Sequence, residues 1–139
     1  MSVNHKPKKM LVTGGAGFIG CNYVNHELQE NPDLQILVLD LLTYAGSTEN
    51  LNSARQNFPG RISFMKGDIR DKDMMQRIME TMDVDTIVHF AAESHVDRSI
   101  DGPEAFVSTN IVGTSMLLQA ARVVWQDRKD VRFHHVSTD

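Results

Sequence analysis

The chain has a single cysteine, Cys21, only four prolines, and no apolar run long enough to cross a bilayer. One thiol excludes an internal disulfide and fits a reducing, cytoplasmic compartment. So few prolines, without serine- or glycine-rich stretches, leave no domain linker, repeat or low-complexity segment. Positive charge is also in short supply. Fourteen Lys and Arg against eighteen Asp and Glu give a net charge of -4, which argues against a nucleic-acid partner. The six histidines fall into no H-x-x-x-H or Cys/His spacing, and His134 and His135 are neighbours on a predicted strand, so they point to opposite faces. No metal site is expected. The tail, residues 1–8, carries Lys6, Pro7 and Lys8 but not the apolar segment of a signal peptide, and is expected to be a disordered basic terminus.

What is present is enough for one domain over residues 9–139, with an apolar share of 41% and a length that builds a core without staples. Apolar strand patterns alternate with helical ones. Strands are predicted at 9–13, 35–39, 62–66, 85–90 and 131–136, and helices at 18–30, 71–82 and 103–127, with Asp71 as an N-cap and a short helix over 48–57. The expected fold is α/β: a Rossmann-type, doubly wound parallel sheet in strand order 3-2-1-4-5 with right-handed crossovers. Met74, Met75, Met79 and Met82 sit at helical spacing and read as adaptable core filler. The 103–127 helix carries two apolar stripes, one of Val107, Ile111, Leu118 and Trp125, the other of Phe106, Leu117, Ala120 and Val124. One stripe suffices to pack on a sheet, so the second is covered by the rest of the domain or by another subunit.

The first strand runs straight into a turn carrying Gly14, Gly17 and Gly20, and a helix opens at once. This arrangement presents backbone N–H groups and a helix N-terminus to a pyrophosphate. The spacing is G-x-x-G-x-x-G, and a lone glycine pattern also makes plain turns. Asp40, twenty residues beyond Gly20 at the end of the next apolar strand, stands where an acid binds the adenosine ribose hydroxyls. A carboxylate there repels a 2′-phosphate, so NAD is expected rather than NADP. Asp68 follows the third strand, where it either accepts from the adenine amino group or makes a turn. The small residues Ala91 and Ala92 end the fourth strand and let backbone approach the middle of the cofactor. Cys21 reads as a packing residue, His95 as a pocket-lining or loop-ordering residue, and Asp97 with Arg98 as a local ion pair.

The stretches VTGGAGFIG (12–20), LDLLTYAG (39–46), KGDIRD (66–71), HFAAESHVDRSI (89–100), STNIVGT (108–114) and RFHHVSTD (132–139) resemble the extended short-chain dehydrogenase/reductase family. Within it the likeness is nearest to the dTDP-glucose 4,6-dehydratase branch. The first stretch is shared by many members, whereas HFAAESHVDRSI and VSTD are more specific. The resemblance implies that Gly14, Gly17, Phe18, Ile19 and Gly20 form the phosphate loop and that Asp40, Leu42 and Thr43 contact the adenosine ribose. Leu41 departs from the lysine often found there. Asp68 and Ile69 are implied at the adenine, Ala91, Ala92, Glu93 and Thr109 along the cofactor, and Ser94, His95 and Val96 beside the sugar pocket. Thr138 and Asp139 match the first two residues of a catalytic Thr-Asp-Glu triplet.

The implied chemistry oxidises C4 of a nucleotide-activated glucose with a tyrosine as base. It then removes water across C5 and C6, with the Asp as acid and the Glu as base, and finally reduces C6. A 4-ketone acidifies the C5 proton, and two carboxyls in different protonation states divide the work. Neither Tyr23 nor Tyr44 has a lysine four positions on. The 139 residues are therefore expected to be the cofactor-binding part of a dehydratase, cut before the later strands and the substrate domain and inactive alone. The resemblance also implies a homodimer through the 103–127 helix. The alternatives are a sugar-nucleotide epimerase or decarboxylase, and a noncatalytic dinucleotide-binding module.

Overall fold

A computed structural model of the chain describes residues 5–42, 47–90, 104 and 108–136. Five strands, β1 (Lys9–Thr13), β2 (Gln35–Asp40), β3 (Ile62–Lys66), β4 (Thr86–His89) and β5 (Arg132–His135), form one parallel sheet in the order β3-β2-β1-β4-β5. This is the expected order. Helix α1 (Phe18–Glu30) follows β1. A 3-10 turn at Thr48–Leu51 leads into α2 (Asn52–Asn57), α3 (Lys72–Met82) follows β3, and α4 (Thr114–Trp125) precedes β5.

Alternation along the strands sends apolar side chains to both faces, as a sheet covered on both sides requires. Met10, Val12, Ile36, Val38 and Val88 pack with Val24 and Leu28 of α1 and with Ala54 of α2. Leu11, Leu37, Leu39 and Ile87 pack on the other face with Met75, Ile78 and Met79 of α3 and with Leu117, Ala120 and Ala121 of α4. The methionines of α3 are the core filler their spacing predicts, Met75 and Met79 buried, Met74 and Met82 partly so. Buried Cys21 joins the α1 cluster.

Helix ends follow local chemistry. The Asp71 side chain accepts from the Met74 N–H and caps α3, and Asp83 closes it in a left-handed conformation at φ 52°. The Asn31 side chain and backbone N–H both donate to the Glu27 carbonyl at the end of α1. Arg61 donates to the carbonyls of Leu28, Asn31 and Leu34 and so ties the α1–β2 turn to the start of β3. At the opposite, amino edge of the sheet, the Asp85 carboxylate accepts the backbone N–H groups of Lys8 and Lys9, and His5 lies 2.6 Å from Thr86 Oγ1. Residues 1–4 of the tail lie outside the described residues.

Two expectations are corrected. The strands expected at 85–90 and 131–136 are each shorter by a residue at both ends, although backbone bonds such as Asp85 N–H to the Lys9 carbonyl and Val136 N–H to the His89 carbonyl still tie the flanking residues to the neighbouring strands. The helix expected at 103–127 is not one regular α-helix. Glu104 is helical, Ser108–Gly113 is a π-helical segment, regular α-helix runs only over Thr114–Trp125, and Gln126 ends it at φ 47°. The stripes also regroup. Trp125 belongs to the inner face, where its indole N–H donates to the Val84 carbonyl at 2.7 Å. Ile111 (63% exposed) and Leu118 (47%) remain on the outside. Phe106 and Val107 lie outside the described residues.

Candidate functional site: the carboxyl edge of the sheet

The glycine turn leaves β1 at this edge. Gly14 takes φ 74°, a conformation that glycine adopts without strain, and its N–H donates to the Leu39 carbonyl at 2.8 Å. Gly20 is required by contact: a Cβ there would collide with the Gly14 carbonyl oxygen and lie 2.8 Å from Gly15 Cα. The first turn of α1 is thus drawn tightly under the loop. Gly17 occupies the N-cap and brings no side-chain cap, so the N-terminal N–H groups of a thirteen-residue helix face outward with their positive partial charge. Phe18 is 79% exposed beside them.

Asp40, the last residue of β2, sits next to this turn. One carboxylate oxygen accepts from the Ala16 N–H at 3.0 Å and the other from the Leu42 N–H at 2.8 Å. Leu42 takes φ 59° to make that bond. The carboxylate is partly exposed and retains lone pairs beyond these two bonds. It therefore braces the phosphate turn while facing the space in front of it. Ser47 and Asn50 brace the same turn from the far side. The Ser47 N–H donates to the Ala16 carbonyl, and Asn50 Nδ2 donates to it at 2.7 Å.

Asp68 follows β3 on the same edge. It accepts from the Arg70 guanidinium and backbone N–H, and the guanidinium holds its carboxyl below the usual carboxylate range. Ile69 is buried beside Gly113, where an added Cβ would lie 2.7 Å from Ile69 Cδ1. The π segment thus seats a glycine on the residue expected at the adenine.

The ends of β1 and β4 meet α4 through His89. Its Nδ1 lies 2.6 Å from Thr13 Oγ1 and its Nε2 lies 2.8 Å from Thr114 Oγ1. Burial first, and the facing His135 second, push the His89 pKa down to about 4. Phe90 follows, its ring 5.3 Å from that of Tyr23. Burial and nearby Glu27 push the Tyr23 phenol up to about 12, the wrong direction for a tyrosine base.

The structure thus brings Gly14, Gly17, Phe18, Ile19, Gly20, Asp40, Leu42, Asp68 and Ile69 to one edge. Thr109 lies in the π segment, its side chain outside the described residues. Thr43, Ala91, Ala92, Glu93, Ser94, His95, Val96, Thr138 and Asp139 also lie outside them, as do Asp97 and Arg98. Sequence alone does not single out Asn50, Thr13, His89 or Thr114. The one available signal is parity: Thr13 and His89 stand on the same face as apolar Leu11 and Ile87, two residues earlier in their strands. Among the described residues no three His, Cys, Asp or Glu side chains gather as a metal would require. Among them, too, no helix is long and apolar enough to cross a membrane.

The family model described as GDP-mannose 4,6 dehydratase matches residues 11–139. The chain belongs to this family. It is 46% identical to the dTDP-glucose 4,6-dehydratase of Mycobacterium tuberculosis (strain ATCC 25618 / H37Rv) over 131 residues, 94% of this chain and 36% of that protein. The dTDP-glucose 4,6-dehydratase of Bacillus anthracis str. Ames, solved in complex with NAD, superposes with a TM-score of 0.77 at 36% identity, over 94% of this chain and 37% of that one. The UDP-glucose-4-epimerase of Stenotrophomonas maltophila, solved with bound NAD, superposes at a TM-score of 0.80 but with 28% identity, over 94% and 37%. The fold is therefore shared by solved dehydratases and epimerases alike. The chain is homologous to the N-terminal part of those dehydratases and spans about a third of the length of the curated relatives it matches.

Proposed function

We propose that residues 9–139 form the NAD-binding unit of a nucleotide-sugar 4,6-dehydratase, with dTDP-glucose as substrate. The observation that carries this reading is the placement of the Asp40 carboxylate against the glycine turn, at the uncapped N-terminus of α1. The residues fit the group. Gly15 leaves no room for a Cβ against Val38 and Val12, and Gly20 none against Gly14 and Gly15, so the loop is held tightly between the sheet and the first turn of α1. Gly14, Gly17, Phe18, Ile19 and Gly20 hold the phosphates, and Asp40, Leu42 and Thr43 hold the adenosine ribose. Asp68 and Ile69 border the adenine, while Ala91, Ala92, Glu93 and Thr109 lie along the cofactor. When bound, NAD supplies reversible hydride acceptance.

On the substrate side, Ser94, His95 and Val96 border the sugar pocket. Thr138 and Asp139 open the catalytic Thr-Asp-Glu triplet, in which Asp139 delivers a proton to the departing C6 hydroxyl. The 46% identity to a dTDP-glucose 4,6-dehydratase supports this assignment over an epimerase, as does the VSTD stretch. The 139 residues by themselves hold neither a Tyr-x-x-x-Lys pair nor the Glu of the triplet, and on this reading bind cofactor without turning over substrate. The outward stripe of Ile111 and Leu118 supports a homodimer through the 103–127 helix. The buried, unpaired thiol of Cys21 is consistent with a cytoplasmic setting.

Amide chemical-shift mapping tests the cofactor site. Added NAD should first shift the amides of Gly14, Gly17, Phe18, Ile19, Gly20 and Ile69. Shifts confined to another part of the surface would remove the reading. Formation of a 4-keto-6-deoxy sugar by the 139 residues at an enzyme-like rate would remove the division of labour.

A further inference from the structure

One face of the sheet changes character at its carboxyl edge. In the register, Leu37, Leu11, Ile87 and Phe133 stand side by side on β2, β1, β4 and β5. Two residues further along, the same face carries Leu39, Thr13, His89 and His135. An apolar row thus turns polar on three adjacent strands. Thr13 and His89 are 0% and 1% exposed and belong to the core, whereas His135 is exposed. Burying an imidazole and a hydroxyl costs free energy that an apolar pair does not. The structure meets that cost with complete pairing: both ring nitrogens are hydrogen-bonded, and among the described residues no buried side-chain polar atom lacks a partner.

Each end of the network is tied to the candidate site. Thr13 passes directly into Gly14 and its carbonyl accepts from the Phe90 N–H at 2.8 Å. Thr114 opens α4 directly after Gly113, which is seated on Ile69. A ring bonded at both nitrogens has one orientation, and it fixes the spacing of the groups that hold it.

We infer that His89 is a positioning residue of the dinucleotide site: held between Thr13 and Thr114, it sets the distance from the glycine turn to the start of α4, and so from the phosphate side to the adenine side. The inference rests on the reading of this edge as an NAD site. The ring acts through its neighbours and touches no ligand. Its low pKa, from burial and the facing His135, keeps it neutral through the physiological range, so the brace does not titrate there.

Three variants of the chain test this, each read by NAD calorimetry and by amide hydrogen exchange. Thr114→Val keeps the shape but orphans His89 Nε2. It should weaken NAD roughly tenfold and speed exchange at Gly14 to Gly17 several-fold. Thr114→Ser keeps the hydroxyl and should stay within about twofold of the parent on both measures. Ile87→Val loosens the apolar row beneath and should lower stability without changing affinity. The inference is overturned if Thr114→Val leaves turn exchange and affinity unchanged, or if Thr114→Val and Ile87→Val weaken binding alike. Should the parent chain bind no NAD, the cofactor reading fails separately, and faster turn exchange in Thr114→Val alone still supports the brace.

Discussion

Asp40 and His89 show how single residues at this edge carry two duties. Asp40 faces the place proposed for the adenosine ribose, yet it also holds the Ala16 and Leu42 amides. Removing its carboxylate therefore loosens the turn as well as the ribose contact, and only a ratio of cofactor affinities isolates the second effect. His89 is neutral because its pKa has fallen from 6.5 to about 4. The unfolded chain takes up the proton first as pH drops. The contribution of this ring to stability is therefore whole above about pH 6.5, declines as pH falls toward 4, and declines no further below that. The full span is roughly 3 kcal/mol. Urea titrations at pH 7 and pH 4.5 should show a steeper loss for the parent than for His89→Gln, which keeps an amide near Nε2 but does not titrate. Equal losses would mean that the folded ring does not resist protonation as described. Gly14, Gly20 and Asp40 are legible in the sequence because each lies at a fixed offset from an apolar strand. His89 is not, because Thr13 and Thr114 lie 76 and 25 residues from it, and only the strand register brings them together.

Among the elements, the strands are the most legible. β2 is a continuous apolar run bounded by polar residues, and such a run has few alternatives to a doubly covered strand. The helix before β5 is the least legible. Its amphipathic pattern reads as regular α-helix throughout, but Ser108–Gly113 is π-helical and ends where Gly113 meets Ile69. Likewise, the sequence pattern places Trp125 on the stripe of Ile111 and Leu118, whereas its hydrogen bond to Val84 holds it on the inner face. Acrylamide quenching of Trp125 consequently reports on the inner face and says nothing of the outer. A different element junction rests on one side chain. Arg61 gathers three carbonyls at the α1–β2 turn and places its guanidinium 5.4 Å from the Phe58 ring centroid. Arg61→Ala should cost about 2–3 kcal/mol by chemical denaturation. Arg61→Lys should recover less than half, since a point charge cannot span the three acceptors. A loss under about 0.5 kcal/mol would place the junction's stability elsewhere.

At the scale of the whole molecule, the sheet gathers its polar, turn-forming and small residues at one edge and leaves an apolar helix face outward. Ile111, Val112, Leu118 and Val123 are exposed on one side of the helix whose other side is core. A patch of this kind favours association. Light scattering across a concentration series should show self-association that an Ile111→Gln, Leu118→Gln double variant relieves without loss of melting temperature. A concentration-independent monomer would show that the stripe does not drive association. The central claim concerns the opposite side of the molecule, that the carboxyl edge is an NAD site selected by Asp40. Calorimetric titration with NAD and NADP, on the parent and on Asp40→Ala, tests it most directly. The parent should bind NAD the more tightly, by roughly tenfold or more. Asp40→Ala should weaken NAD and bring the two cofactors close to parity. Equal affinities in the parent, or a preference that survives Asp40→Ala unchanged, would contradict the account.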